Sequence, residues 1–164
     1  MSKVILICGK MCGGKTTYAK ALMKKSPAAL LSADEITTIF FGPYGGAQHV
    51  AILEKTRKYL FEKSLELIAS GIDVILDWGF WTKADRREAA LFYENNNVPV
   101  EWHYVDTPNN ICLKNLNKRN REIESGRLAS AYYFPAEVAG RFWEEMFEAP
   151  SQNEMDIWHQ NQTS

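Results

Sequence analysis

Short runs of consecutive apolar residues alternate along the chain with longer segments in which apolar residues recur every three or four positions. The short runs have the length of strands buried on both faces, and the longer segments have the period of amphipathic helices. The runs lie at 4–8, 29–32, 73–77 and 100–105, with a weaker one at 157–158. The helical segments lie at 16–25, 48–70, 83–96, 108–121 and 135–147.

This alternation predicts an α/β fold in which a parallel sheet of four to five strands carries helices on both faces. No repeat, low-complexity tract or linker divides the 164 residues, so we expect a single domain over 1–164. Ligands of such sheets bind beyond the carboxyl ends of the strands. Functional residues are therefore expected just after Cys8, Ser32, Leu76 and Val105.

Composition and charge argue against several classes of protein. Hydrophobic residues make up 46% and charged residues 24%, and the formal charge of -1 argues against a nucleic-acid-coating protein or a polybasic membrane binder. The first apolar run is too short to cross a bilayer, and it lacks the features of a signal peptide. The three cysteines have no zinc-binding spacing. We therefore expect reduced thiols in a cytoplasmic protein.

The most specific motif follows the first apolar run directly. Residues 9–16 read Gly-Lys-Met-Cys-Gly-Gly-Lys-Thr, which satisfies the Walker A pattern G-x-x-x-x-G-K-S/T between a strand and a helix. Gly9, Gly13 and Gly14 let backbone N–H groups approach an anion, and the N-terminus of the next helix adds partial positive charge. This segment, the P-loop, predicts nucleotide phosphate binding; the alternative is a glycine-rich turn that matches by chance.

Four side chains of the P-loop and the following helix have distinct expected roles. Lys15 is expected to bind the β- and γ-phosphates, Thr16 to ligate Mg²⁺, and Thr17 to hydrogen-bond the α-phosphate. The Cys12 thiol lies near backbone N–H groups and Lys15, an environment that should favour its thiolate. Bound nucleotide would then protect Cys12 from alkylation, and an inert thiol is the alternative.

Two carboxylates and two tryptophans follow other strands. Asp34 is placed to accept a proton from an attacking hydroxyl, or else only to cap the following helix. Asp77 is placed to hold Mg²⁺ through water as a Walker B carboxylate does, or else only to cap a turn. Trp78 and Trp81 then indicate an acceptor pocket, although aromatic side chains more often belong to the core.

Several arginines are candidates for clamping a transferred phosphate, each against the alternative of a solvated surface position. They are Arg86, Arg87, Arg119, Arg121 and Arg127.

Residues 9–17, 31–36 and 74–81, together with Arg86, resemble the small bacterial P-loop kinase-like proteins named "AAA family ATPase". These proteins are similar to the kinase domain of polynucleotide kinase, to chloramphenicol phosphotransferase and to zeta toxins. The resemblance continues through 116–120 and 147–150, so it covers nearly the whole chain. It implies a P-loop NTPase fold and ATP-dependent kinase activity.

The resemblance also implies roles for individual residues. The aspartate matching Asp34 orients or activates the acceptor hydroxyl, and the arginine matching Arg86 contacts the acceptor or a phosphate. The arginines matching Arg119 and Arg121 belong to a lid over ATP, which here falls at about 117–134. Because residues two apart on a helix face different ways, we expect one of these arginines to reach the phosphates, unless the helix has already given way to a loop there. The match to the lid arginine of the family favours Arg119 over Arg121.

The nucleotide is expected to be ATP. Residues 117–120 read Asn-Lys-Arg-Asn, which is similar to the guanine-reading N-K-x-D, but Asn120 cannot accept both guanine N–H groups as a carboxylate does. The sequence thus predicts transfer of the γ-phosphoryl group of Mg·ATP to a hydroxyl of a small molecule, a nucleoside or a polynucleotide. The near-neutral charge disfavours the polynucleotide.

Two other classes of function stay open at this point. One is an ATPase or nucleotide-dependent switch, and the other is a toxin-like regulatory protein without a small-molecule acceptor. The sequence identifies neither the acceptor nor the oligomeric state.

Overall fold

Strands and helices alternate along residues 1–162, which the computed structural model describes. The strands are β1 Val4–Cys8, β2 Ala28–Leu31, β3 Asp73–Gly79, β4 Val100–Asp106 and β5 Ile157–Gln160. The helices are α1 Lys15–Lys25, α2 Ala33–Phe41, α3 His49–Ala69, α4 Lys83–Asn95, α5 Asn109–Glu124 and α6 Ala136–Met146. No helix in this part of the chain is long and apolar enough to cross a membrane.

The five strands form one sheet in the order β2-β3-β1-β4-β5, and every neighbouring pair is parallel. β1 lies in the centre, with Val4 opposite Val74 of β3 and Val100 of β4. The order reverses beside β1, where the ligand of an open parallel sheet usually binds. The predicted α/β fold of the P-loop NTPase type is confirmed.

The two faces of β1 are covered by different helices. All five of its residues are buried, and successive side chains of a strand point to opposite faces of the sheet. On one face Leu6 belongs to a core cluster with Leu60 of α3 and Tyr93 of α4. On the other face Ile7 belongs to a cluster with Ala19 of α1. Helices therefore lie on both faces, as the continuous apolar run of β1 predicts.

The element bounds differ from the predicted ones mainly at the C-terminal ends. α5 continues three residues past Arg121 to Glu124, where Ser125 and then Gly126, with a φ of 72°, end the helix. β5 covers four residues instead of two, because His159 and Gln160 also pair with β4.

Arg86 holds the segment after α6 against the end of β3. Its side chain is 5% exposed, and its Nε donates to Glu154 Oε1 at 3.0 Å. Its Nη1 donates to the carbonyl oxygens of Phe80 and Glu148 at 3.1 and 3.0 Å. A buried guanidinium is stable only when such acceptors surround it. These contacts give Arg86 a structural role, and the expected contact with acceptor or phosphate has no support in this geometry.

The environment of Glu154 predicts a pH dependence of stability. The Ser151 backbone N–H, together with the Arg86 guanidinium, holds the pKa of Glu154 at about 2, below its ordinary value of 4.5. Because the folded-state pKa is depressed, the stabilisation is present above pH 4.5 and is lost as the pH falls towards about 2. We expect the difference in free energy of unfolding between the native protein and Glu154→Gln to shrink over this window in urea denaturation.

Glu144→Gln on the exposed side of α6 is the matched control for the loss of a carboxylate. A difference between the native protein and Glu154→Gln that stays constant across the acid window would contradict the role of this ion pair.

Candidate functional site

The P-loop joins the end of β1 to the start of α1, and its shape depends on glycine at two positions. A Cβ at Gly9 would lie 2.9 Å from the carbonyl oxygen of Val105, which leaves no room for a side chain. Gly14, the residue before α1, has a φ of 85°, in the left-handed region that strains other residues. Between them the Gly13 N–H donates to the Lys10 carbonyl at 3.0 Å and closes the turn.

Four side chains outside the P-loop donate hydrogen bonds to its carbonyl groups. The pairs are Trp81 to Gly9 at 3.2 Å, Asn115 to Cys12 at 3.0 Å, and Thr107 and Asn161 to Gly13 at 2.6 and 3.1 Å. With these carbonyls bound from outside, the loop has the geometry that presents N–H groups to an anion. Trp81, expected in the acceptor pocket, lies against the P-loop instead.

The residues expected to serve the phosphates and Mg²⁺ lie together at the start of α1. Lys15 Nζ donates to the Lys10 carbonyl at 2.7 Å, and Thr17 is exposed in the first turn of the helix. Thr16 Oγ1 donates to Asp77 Oδ2 at 2.6 Å, so these two expected metal-binding side chains are in direct contact.

This pair of oxygen donors fits Mg²⁺. The cation usually takes one or two protein ligands and fills its octahedron with water and nucleotide phosphates. Among residues 1–162, no group of three or more His, Cys, Asp or Glu side chains forms a complete metal site. The hydroxyl of Thr16 and the carboxylate of Asp77 are therefore suited to a cation that a nucleotide brings with it.

Asp34 is not the cap of α2. The cap is Ser32, whose Oγ accepts a hydrogen bond from the Glu35 N–H at 3.3 Å. Asp34 lies inside the first turn with an exposed side chain, so the capping alternative for Asp34 is wrong. Its carboxylate is available for another purpose.

Four charged side chains act on the Asp34 carboxylate. Loss of surrounding water raises the pKa of Asp34 above its ordinary value, and the negative charge of Asp77 raises it further; Arg57 opposes this rise most strongly, then Lys15 and Arg119. Asp34 follows β2 and Asp77 lies near the end of β3, the neighbouring parallel strand, so both carboxylates are at the same edge of the sheet. These five residues thus share one place at the carboxyl ends of the central strands, called here the charged cleft.

Arg119 and Arg121 face different directions on α5. Arg119 is half-buried, and its Nε and Nη2 have no hydrogen-bond partner among the residues that the structure describes. Its charge acts on both Asp34 and the Cys12 thiol, so it lies between the charged cleft and the P-loop. Arg121 is exposed in the last turn of the helix.

The segment 125–135 overlaps the expected lid at about 117–134; it joins α5 to α6 and contacts α2. Asn120 of α5 is buried; its Nδ2 donates to the Phe134 carbonyl at 2.7 Å and its Oδ1 accepts from the Phe134 N–H at 3.3 Å. The Tyr132 hydroxyl donates to Thr37 Oγ1 at 2.5 Å. The segment therefore spans the space beside Asp34. Asn120 binds backbone inside a helix, which agrees with the rejection of a guanine-reading motif.

Arg57 is the cleft residue that the sequence did not single out. It lies on α3, a helix of 21 residues, where a lone arginine carries no motif. Its guanidinium carbon is 6.0 Å from the ring centroid of Trp78. Trp78 itself is 7% exposed and packs edge-on against Phe61, so it belongs to the core and supports Arg57.

The environment of Cys12 favours an inert thiol over the expected activation. Burial raises the pKa of the Cys12 thiol above its ordinary value of 9.0, and this outweighs the opposing charges of Arg119 and Lys15. The nearby charges were anticipated correctly, but the desolvation that accompanies the packing of α5 and α6 beside the loop was not.

Comparison with known proteins gives a family match and a shared fold. Residues 4–133 match the family AAA_33, described as an AAA domain. No curated protein sequence matches the chain. A similar solved structure is the APS kinase of Mycobacterium tuberculosis in complex with AMPPNP and APS, with 16% identity and a TM-score of 0.66 over 99% of this chain and 90% of that one.

Two further structures have the same fold. A gluconokinase from Sinorhizobium meliloti 1021 has 11% identity and a TM-score of 0.63 over 99% of this chain and 84% of that one. A chain of the Pnkp1/Rnl/Hen1 RNA repair complex has 16% identity and a TM-score of 0.69 over 90% of this chain and 46% of that one. At these identities the likeness shows the P-loop kinase-like fold alone.

The raised pKa of Cys12 predicts low reactivity. At about pH 8, iodoacetamide should label Cys12 more slowly in the folded protein than in the urea-unfolded chain, because less thiolate is present. Cys8, whose pKa burial raises to about 12, is the internal control and should react more slowly still. Mass spectrometry of the two cysteine-containing peptides gives the rates. Faster labelling of Cys12 in the folded protein would show that the loop activates the thiol.

Proposed function

The chain belongs to the AAA_33 family of AAA domains, and from this we propose that it is an ATP-dependent kinase. It transfers the γ-phosphoryl group of Mg·ATP to a hydroxyl of a small molecule, a nucleoside or a polynucleotide. The observation that carries the proposal is that the charges of Lys15 in the P-loop and of Arg119 on α5 both act on the Asp34 carboxylate. A plain nucleotide-binding domain needs no carboxylate at the position of Asp34.

The donor side of the reaction uses the P-loop. Its backbone N–H groups and the N-terminus of α1 bind the phosphates, Lys15 binds the β- and γ-phosphates, and Thr17 binds the α-phosphate. Thr16 and Asp77 hold Mg²⁺, which when bound neutralises charge on the phosphates. The adjacency of the two side chains at 2.6 Å supports this assignment.

In the chemical step, Asp34 and Arg119 act directly on the reacting groups. The acceptor oxygen forms a bond to the γ-phosphorus while the bond from that phosphorus to the β–γ bridging oxygen breaks, and ADP leaves. Asp34 takes the hydroxyl proton, and the raised pKa of its carboxyl makes it a stronger proton acceptor. Arg119 directs its unpaired Nε and Nη2 donors at the charge on the transferred group.

Isotope tracing separates this proposal from the alternatives. ATP carrying a radioactive γ-phosphate is incubated with the protein and with hydroxylated metabolites that raise its melting temperature in the presence of Mg·AMPPNP. A kinase places the label on one of these acceptors. Label found only in free phosphate would indicate an ATPase or switch, and unchanged ATP would indicate a regulatory protein; either result contradicts the proposal.

Asp34→Asn tests the proton acceptor. Asparagine cannot take a proton, so phosphoryl transfer should fall by about 10²- to 10⁴-fold, while the melting temperature and ATP affinity stay near those of the native protein. The native pH–rate profile should have its acid limb above pH 3.8, the ordinary carboxyl value, because the pKa of Asp34 is raised. A variant that retains transfer would exclude Asp34, and Glu35 would be tested next.

Arg119→Ala and Arg121→Ala form a matched pair on α5. Removal of Arg119 should lower kcat by roughly 10³-fold or more, because it stabilises transition-state charge as an arginine finger does. Removal of the exposed Arg121 should leave kcat close to native. Single-turnover transfer assays give both values. Equal damage would mean that both arginines reach the phosphates, and an undamaged Arg119→Ala would remove Arg119 from the mechanism.

A further inference from the structure

Arg57 presents an unsatisfied donor next to Asp34. The side chain is half-buried, and its Nε lies out of contact with solvent and without a hydrogen-bond partner among the described residues. A desolvated N–H without an acceptor is costly, so native proteins leave few of them. The Trp78 ring at 6.0 Å supports the guanidinium but accepts no hydrogen bond from Nε. The side chain as a whole is half-buried, so a ligand can reach the guanidinium group of Arg57 although it cannot reach Nε itself.

The two arginines of the charged cleft, Arg57 and Arg119, lie near different parts of the site. Arg119 lies one turn after Asn115 of α5, which donates to the Cys12 carbonyl of the P-loop at 3.0 Å, whereas the Arg57 guanidinium lies 6.0 Å from the Trp78 ring at the end of β3, the strand that pairs with β2 before Asp34. Arg57 also projects from α3, which packs against α2 on the side away from α1. Arg119 therefore lies on the side of the donor phosphates, and Arg57 lies on the side from which an acceptor reaches Asp34.

A cavity on the same side has room for the body of an acceptor. It has a volume of about 290 Å³ and is lined by residues 45–48 between α2 and α3, by Phe41 at the end of α2, by His49 and Ile52 at the start of α3, and by Tyr132 of the lid segment. The Tyr132 hydroxyl donates to Thr37 Oγ1, and Thr37 lies one turn after Asp34 on α2, so the cavity adjoins the charged cleft. Neither Asp34 nor Arg57 lines the cavity, so an acceptor seated there reaches them only by extending beyond its lining.

We propose that the acceptor is a hydroxylated anion whose phosphate, sulfate or carboxylate group binds Arg57 while its hydroxyl reaches Asp34. The inference rests on the proposed kinase function and narrows its substrate class. Asp34 and Asp77 repel an anionic acceptor, and Arg57 offsets that repulsion where the acceptor enters. A guanidinium presents planar paired donors that match these anions, and contact with Trp78 fixes its orientation.

Inorganic sulfate is the probe for this site. The P-loop is first saturated with Mg·AMPPNP, and sodium sulfate is then titrated at constant ionic strength while the melting temperature is followed. We expect sulfate to stabilise the native protein, and Arg57→Gln to raise the apparent Kd by at least about tenfold. Arg57→Lys, which keeps the charge, should retain part of the binding. Arg87→Gln, an exposed arginine of α4, is the matched control and should bind sulfate as the native protein does.

A second variant tests whether sulfate binds beside Asp34. Asp34→Asn removes the nearest negative charge and should tighten sulfate binding in the native background but not in the Arg57→Gln background. Equal binding by the native protein and Arg57→Gln, or no binding by the native protein, would overturn the inference.

Failure of the native protein to bind Mg·AMPPNP would instead refute the proposed kinase function. In that case titration of Lys15→Ala with sulfate in the absence of nucleotide still tests Arg57 by the same comparison, because the P-loop lysine no longer competes for the anion.

Discussion

The close approach of the P-loop to the end of the sheet is the constraint on which the rest of the site depends. The Val105 carbonyl leaves no space for a side chain at Gly9, and the left-handed Gly14 turns the chain into α1. Thr107 and Asn161, which follow β4 and β5, both bind the Gly13 carbonyl. The loop therefore takes its shape from elements far apart in sequence, and Thr16 then starts α1 within 2.6 Å of the Asp77 carboxylate.

The charged side chains around the P-loop are not fully paired with one another. Lys15, Arg57 and Arg119 act on Asp34, and Asp77 lies among them. Yet buried donors of Arg57 and Arg119 stay unpaired in the described chain. Such donors lower stability, and a functional role is one of the reasons for which proteins retain them. Arg86, by contrast, has its acceptors inside the protein and serves the fold.

Local pattern predicted the sheet and the P-loop, but it did not predict packing over long distances. The run Val4–Cys8 and the glycines after it indicate a buried strand and an anion-binding turn, and parallel strand ends bring Asp34 and Asp77 to the same edge. The role of Arg86 depends on Glu154, 68 residues later, which no local pattern reveals. The sequence indicates the charges near Cys12 but not the burial of its thiol. Arg57 can be assigned to the charged cleft only from the packing of α3 beside β3.

The central claim is that the P-loop holds a nucleotide triphosphate through Lys15, and calorimetric titration with Mg·AMPPNP tests it most directly. The account predicts that the native protein binds one equivalent, and that Lys15→Ala keeps the native melting temperature while losing most of the affinity. Binding of equal strength by a folded Lys15→Ala variant, or no binding by the native protein, would contradict the account.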